Sequence, residues 1–348
     1  MVGMSRAPDP RPTLKDVARL AGTSIKTVSR VVNHEGTVSR ELTDRANEAI
    51  STLGYRRDDR ARRLRSGTMA TDSIGLIVIN LGDPFFAAAA EGVESVASER
   101  GVVLVTASSR ASPDRLDAIV ESLVSRRIDG LIVVEVGGDI DSLERETSRG
   151  TPVVFLDLMP SRPVGDVVLS DHRAAAVTAV VHLLAGGHRR IGFLGLDLSI
   201  YSMSERYRGY EQALAGAGID LDPRLIALDL FEQAAASAAV DRMLDLADPP
   251  SALFAAYGSA TIGAIRSLQA HNAHQTVALV SSDDIEAGDL LSPGLTTTPQ
   301  DPFELGRSAA RFLFRRLDGY DGPFETLQVE LELTERGSGE IRPDARWG

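Results

Sequence analysis

Apolar positions along the chain change period twice. In TLKDVARLAG, Leu14, Val17, Ala18 and Ala21 recur at helical spacing behind Thr13, which suits an N-cap, and Asp16 falls in the first turn. Gly22 and Thr23 interrupt the pattern, and Ser24 then stands before a second short helix from Ile25 to Val32. At about 100° per residue, Val28, Val31 and Val32 share one face of that helix, while Ile25, Lys26, Ser29, Arg30 and Asn33 share the other. A third helix is expected behind Ser39 as its cap, with Leu42, Ala46, Ala49, Ile50 and Leu53 as its buried stripe and Gly54 as its stop. From Asp72 onward the period becomes that of strands alternating with helices: SIGLIVIN, AAAAEGVESVASERG, VVLVTASS, DRLDAIVESLVSRRIDG, LIVVEV. A second series is read as opening with VVFLD and VVLSD and running through the Ala-rich helix after His172 to IGFLGLD, ALFAAYG and VALVSSDD. The pattern predicts a small all-α module followed by an α/β body of two parallel-sheet units.

Charge divides the chain at the same place. The net charge is −12, yet residues 1–67 hold fourteen Arg or Lys against eight Asp or Glu, a net of +6, and the remainder nets −18. A basic module on an acidic body fits a protein that grips phosphates at one end only. Two short helices around a tight turn, the second with an outward polar and basic face, form a helix-turn-helix able to enter a major groove. At 348 residues two or three domains are expected, and with no cysteine there are no disulfides, thiolate nucleophiles or cysteine-held metals. The opening MVGMSRAPDPRP lacks the apolar run of a secretory signal, and no stretch nears ~18 uninterrupted apolar residues, so a cytoplasmic protein without a membrane span is expected.

The segments TLKDVARLAGTSIKTVSRVVN and VSRELTDRANEAISTLGY resemble the headpiece of the lac-repressor (LacI/GalR) family, and RRDDRARRLRSG resembles its hinge. The resemblance implies a dimeric regulator that binds double-stranded operator DNA and responds to a small, sugar-like effector. Ile25 and Lys26 fall where the family reads bases, with Arg30 at a further base-contacting position; Thr13, Ser24, Thr27, Ser29 and Asn33 complete the expected DNA contacts. The chemistry suits those roles, because lysine donates to guanine O6 and N7 and isoleucine can touch a thymine methyl. Ala61 and Leu64 fall in the hinge, where the matching leucine wedges into a minor-groove step. Arg57 and Asp58 replace the family's proline and asparagine, which loosens the entry to that segment. The expected organisation is a disordered tail over 1–12, a headpiece over 13–58, a hinge over 59–70, an N-subdomain from 71–170 with 299–329, and a C-subdomain from 171–298 with 330–348. The body resembles the periplasmic-binding-protein fold, whose subdomains close on a ligand.

Ligands of paired parallel sheets bind at the carboxyl ends of the strands. That rule and the resemblance together select Asp83, Phe85 and Phe86 in DPFF, Ser108 (beside Ser109), Asp157, His172 after Asp171, Arg206 in RYRGY, Tyr257 and Asp283. Ring faces can stack on a sugar or base, and a guanidinium beside carboxylates suits vicinal hydroxyls. Several positions depart from the family: Tyr257-Gly258 for Asn-Asp, His172 for Asn, Leu158 for Arg, and Ser281-Ser282 for Gly-Phe. These argue against the family's commonest sugars and leave a modified sugar, a nucleoside, or no effector open. Two rival readings fit the residues less well. A solute-binding protein for uptake lacks a reason for the basic headpiece, and an enzyme lacks a motif, since Asp283, Asp284 and Glu286 come with no phosphate loop, HExxH or G-x-S-x-G. His271 and His274 have a metal-like spacing but no third ligand nearby, so neither a metal nor another cofactor is expected.

Overall fold

The computed structural model describes residues 12–33, 36, 38–55, 71–110, 112–134 and 140–343, the side chain of Asn33 excepted. The expected tail, the hinge, and with it Ala61 and Leu64, lie outside the described residues. Two compact units divide the chain at Ala70 and Thr71.

The first unit holds α1 (Leu14–Leu20), α2 (Ile25–Asn33) and α3 (Arg40–Leu53). Thr13 and Asp16 close a capping box on α1: the Thr13 hydroxyl donates to Asp16 Oδ2 (2.6 Å), the Thr13 amide donates to the same oxygen (3.0 Å), and the Asp16 amide returns to Thr13 Oγ1 (3.4 Å). The turn needs glycine at Gly22, whose φ of +59° is left-handed and whose missing Cβ leaves room for the Arg45 guanidinium. Arg45 donates to the Ala21 (2.6 Å) and Gly22 (3.3 Å) carbonyls and so ties α3 to the turn. Ser24 accepts the Thr27 amide at 3.0 Å and starts α2. Ser39 stands at the start of α3 but its side chain makes no cap bond; the Thr43 amide and hydroxyl bond to its carbonyl instead. Val17, Ala18, Ala21, Val28 and Ala49 form the core, flanked by Leu14, Val32, Ile50, Leu53 and Tyr55. Leu42 is only half-buried.

In the second unit a six-stranded parallel sheet contains β1 (Ser73–Val78), β2 (Val103–Ser108), β3 (Gly130–Val134), β4 (Val153–Leu156), β5 (Asp166–Ser170) and β11 (Thr326–Val329), in the order β11-β5-β4-β3-β1-β2. A five-stranded sheet contains β6 (Ile191–Leu194), β7 (Ile226–Ala227), β8 (Ala252–Ala255), β9 (Ala278–Ser281) and β10 (Thr296–Thr297), in the order β10-β9-β8-β6-β7. Its pairings are parallel as well. The connecting helices are α4 (Pro84–Glu99), α5 (Pro113–Ser125), α6 (Asp141–Ser148), α7 (His172–Ala185), α8 (Tyr201–Gly216), α9 (Gln233–Leu244), α10 (Gly258–Ala270) and α11 (Pro302–Leu317). Strands such as GLIVV are buried along their whole length, because helices cover both faces.

One expectation is corrected here. VVFLD and VVLSD do not open the second sheet: β4 pairs with β3 (Leu131↔Val153) and β5 with β4 (Phe155↔Val167), so both belong to the first sheet. The connection over 157–165 has no helix, which breaks the alternating pattern without changing sheets. The chain passes to the second sheet only after Ser170, returns before α11, and crosses again after β11. The crossings are stitched together, Ser170 Oγ to Gln300 Oε1 at 3.0 Å and the Asp171 amide to the Val329 carbonyl at 2.8 Å.

Helix α11 closes the first sheet against α4 at a glycine-lined crossing. A Cβ on Gly92 would meet the Phe303 carbonyl oxygen at 2.0 Å, and one on Gly306 would meet that of Ala89 at 2.1 Å. In the last turn of α11, Arg316 forms a two-point ion pair with the buried Asp166, with both distances 2.7 Å, and Asp166 also accepts the Glu325 amide at 2.8 Å. These bonds fix where β11 joins the edge of the sheet.

Candidate DNA-reading face and ligand cleft

Burial along α2 alternates as the sequence pattern required. Val28 is fully buried and Val31 nearly so, whereas Ile25, Lys26 and Arg30 are exposed. Ile25 is 48% exposed, on the face of α2 opposite the buried Val28. An apolar tip beside two cations suits the floor of a major groove better than it suits water. Ser24 and Thr27, expected at phosphates, hydrogen-bond to each other (2.9 Å) at the start of α2, which leaves one hydroxyl of the pair to donate, whereas the Thr13 hydroxyl donates to Asp16. Ser29 is half-buried, and the Asn33 side chain lies outside the described residues.

In the body, four of the expected residues meet in one polar cluster. Asp157 follows β4 with a left-handed φ of +55°, and its Oδ1 lies 2.7 Å from His172 Nε2, both side chains being buried. Burial opposes ionisation of Asp157, but the His172 ring and Arg206 outweigh it and hold the carboxyl below its ordinary range. Arg206 is itself buried; Nη1 donates to the Ala256 carbonyl and Nη2 to Asp283 Oδ1 at 3.3 Å. The other oxygen of Asp283 accepts the Gly258 amide at 2.9 Å, at the first turn of α10. Asp283 is further fixed through its backbone by Ser281 Oγ, one of the residues that departs from the family pattern.

Asp83 caps α4, its Oδ1 accepting the Phe85 amide at 2.9 Å. Desolvation, reinforced by the negative charge of Asp283, pushes its carboxyl above the usual range, which brings the first sheet's strand end and the second's within electrostatic reach. Phe85 is half-buried and meets Phe86 edge-on at 5.4 Å. Phe86 corrects its expected role: it is 6% exposed and belongs to the core between α4 and the first sheet. The Ser108 hydroxyl is used within the fold, donating to the Ile79 carbonyl at 2.5 Å. The Tyr257 hydroxyl is buried with no hydrogen-bond partner among the described residues, and burial raises its pKa.

Tyr201 was missed in the sequence. As the first residue of α8 it meets the His172 ring edge-on at 6.4 Å, and burial, followed by the charges of Glu205, Asp157 and Asp171, raises the pKa of its hydroxyl. The strand-end rule applied to IGFLGLDLSIYS would have found it. Among the described residues no group of three or more His, Asp or Glu is placed to hold a metal, and no helix is long and apolar enough to cross a membrane. The His271 Nδ1 faces the Ser267 carbonyl at 3.0 Å.

Comparison with known proteins agrees with this arrangement. Residues 180–339 match the periplasmic binding protein-like domain, and residues 13–58 match the bacterial regulatory proteins of the lacI family. The HTH-type transcriptional repressor PurR of Mannheimia succiniciproducens is 31% identical over 330 residues, spanning 94% of this chain and 98% of that protein. Among solved structures, the lac repressor dimer bound to operator and the anti-inducer ONPF superposes with a TM-score of 0.83 at 25% identity, covering 94% of this chain and 99% of that one. The regulator CelR in complex with cellobiose gives 0.70 at 30% identity, over 94% and 100% of the two chains. With near full-length similarity in sequence and a headpiece and body of matching kind, the chain belongs to the lacI family of bacterial regulatory proteins.

Proposed function

We propose that the chain is a homodimeric transcriptional repressor that occupies a palindromic operator through two copies of α2 and is released when a small, sugar-like effector fills the cleft around Arg206 and Asp283. The observation that carries this reading is the pairing, in one chain, of an outward Ile25, Lys26 and Arg30 face with the polar cluster of Asp157, His172, Arg206 and Asp283 at the strand ends of the body. In this reading a dimer sets two α2 helices in successive major-groove half-sites. Leu64, outside the described residues, acts as the wedge at the operator centre. An effector that prefers one arrangement of the body shifts the population toward it and changes operator affinity by that difference alone. The protein then acts in the cytoplasm, at the nucleoid, and carries out no catalytic step. PurR and CelR bear on the effector: one relative is named a transcriptional repressor, and the other holds cellobiose.

Footprinting of the intergenic DNA upstream of its own gene, repeated with a panel of sugars and nucleosides that includes cellobiose, tests the reading. The expected result is a two-fold symmetric protected site that one compound abolishes. A compound that strengthens protection would make the effector a corepressor, and an asymmetric or absent footprint would contradict the dimeric operator reading.

A further inference from the structure

We propose that His172 is a positioning residue of the effector response: its bond to Asp157, made between the two halves of the body, sets their relative angle when no effector is present. The inference rests on the reading that the body responds to a ligand. Asp157 belongs to the first sheet, placed there by β4 and by the bond from its amide to the Val168 carbonyl at 2.8 Å. His172 opens α7, whose Ala176, Ala179, Val180 and Leu183 pack into the core of the second sheet. The 2.7 Å contact between them therefore joins the two halves, beside the stitched crossings at Ser170 and Asp171. The two side chains are 0% and 3% exposed, so neither can exchange the other for bulk water without movement of the surrounding elements.

The carboxylate accepts, so Nε2 carries the proton in this bond, and the other ring nitrogen, Nδ1, is buried with no hydrogen-bond partner among the described residues. Among the described residues the hydrogen bond to Asp157 orients the ring, with Tyr201 packed edge-on against it, and Nδ1 has one bond left to make. Polar contacts run on from this pair: Arg206 acts on Asp157, bonds to Asp283, and Asp283 receives the Gly258 amide of α10. A ligand group inserted at Arg206 or Asp283 perturbs the same chain of contacts that fixes the angle. Of the titratable groups around the pair, Arg206 acts on Asp157 and Tyr201 meets the His172 ring.

The absence of cysteine makes the test direct. Spin labels on the full-length chain at Glu121→Cys, on the exposed face of α5, and Gln212→Cys, on the exposed face of α8, report the distance between the halves. An excess of unlabelled chain limits each dimer to one labelled protomer. His172→Phe and Asp157→Leu are expected to broaden the effector-free distance distribution about twofold or to shift it to a second mean. His172→Gln, which can still donate to Asp157, restores the original distribution. Asp157→Leu keeps the branching of the buried side chain but cannot accept a hydrogen bond, and serves if His172→Phe does not fold. Unchanged distributions in the folded variants would overturn the proposal, as would a His172→Gln variant no better than His172→Phe. Since neither operator nor effector enters the measurement, its failure is distinct from failure of the regulator reading.

Discussion

Replacing Lys26 or Arg30 by alanine is expected to lower affinity for the specific operator by about 1–3 kcal/mol each, roughly fivefold to more than a hundredfold, with no matching loss of stability. Both side chains are exposed on α2, opposite the buried Val28 and Val31, so their removal opens no cavity and leaves no buried partner unpaired. Surface changes of that kind usually stay within about 0.5 kcal/mol in urea denaturation. Base contact and phosphate contact separate cleanly in this experiment. A residue that reads a base loses affinity for the operator and little for shuffled DNA, whereas one that holds a phosphate loses both equally and lowers the salt slope by about one. Equal losses on the two DNAs would move Lys26 and Arg30 from sequence reading to backbone grip.

Arg206→Ala is expected to abolish the effector response while leaving operator binding in place. Arg206 is 4% exposed and serves two partners, the Ala256 carbonyl and Asp283. Its loss strands a carbonyl and removes the cation that faces both Asp157 and Asp283. Truncating one member of a buried hydrogen-bonded pair costs about 3–5 kcal/mol; the partial exposure of Asp283 puts this case toward the lower end. The variant should therefore melt earlier by several degrees and still fold. Arg206→Lys should not restore the response, because a single ammonium cannot reach the Ala256 carbonyl and Asp283 with the planar fork that guanidinium provides. A variant that folds, binds operator and is still released by the wild-type effector would place the binding site elsewhere.

The sequence carried the headpiece almost completely because each of its signals is local. A capping threonine with aspartate three residues on, a glycine where φ is positive, and valines at helical spacing each act within one turn of chain. Ser39 shows the limit even there: the residue type suits a cap, but the backbone of α3 finds Thr43 instead. The body was legible as alternating strands and helices, and its second series was misplaced where 157–165 crosses without a helix. Side-chain roles were harder to read. Phe85 and Phe86 are adjacent in sequence, yet only the second is fully taken into the core, because successive positions at the start of α4 face different ways. That His172 meets Asp157, and that Asp83 lies within the field of Asp283, depends on contacts between residues 15 and 200 positions apart, which no local pattern encodes.

The most direct test of the regulator reading is a fluorescence anisotropy titration of the purified full-length protein against the intergenic DNA upstream of its own gene and against a shuffled duplex, at two salt concentrations. The structure predicts binding to the upstream DNA that is at least about 10³-fold tighter than to the shuffled duplex, a margin that persists when salt weakens both. Equal affinity for the two duplexes at both salts would contradict it, and would leave the exposed face of α2 without a sequence to read.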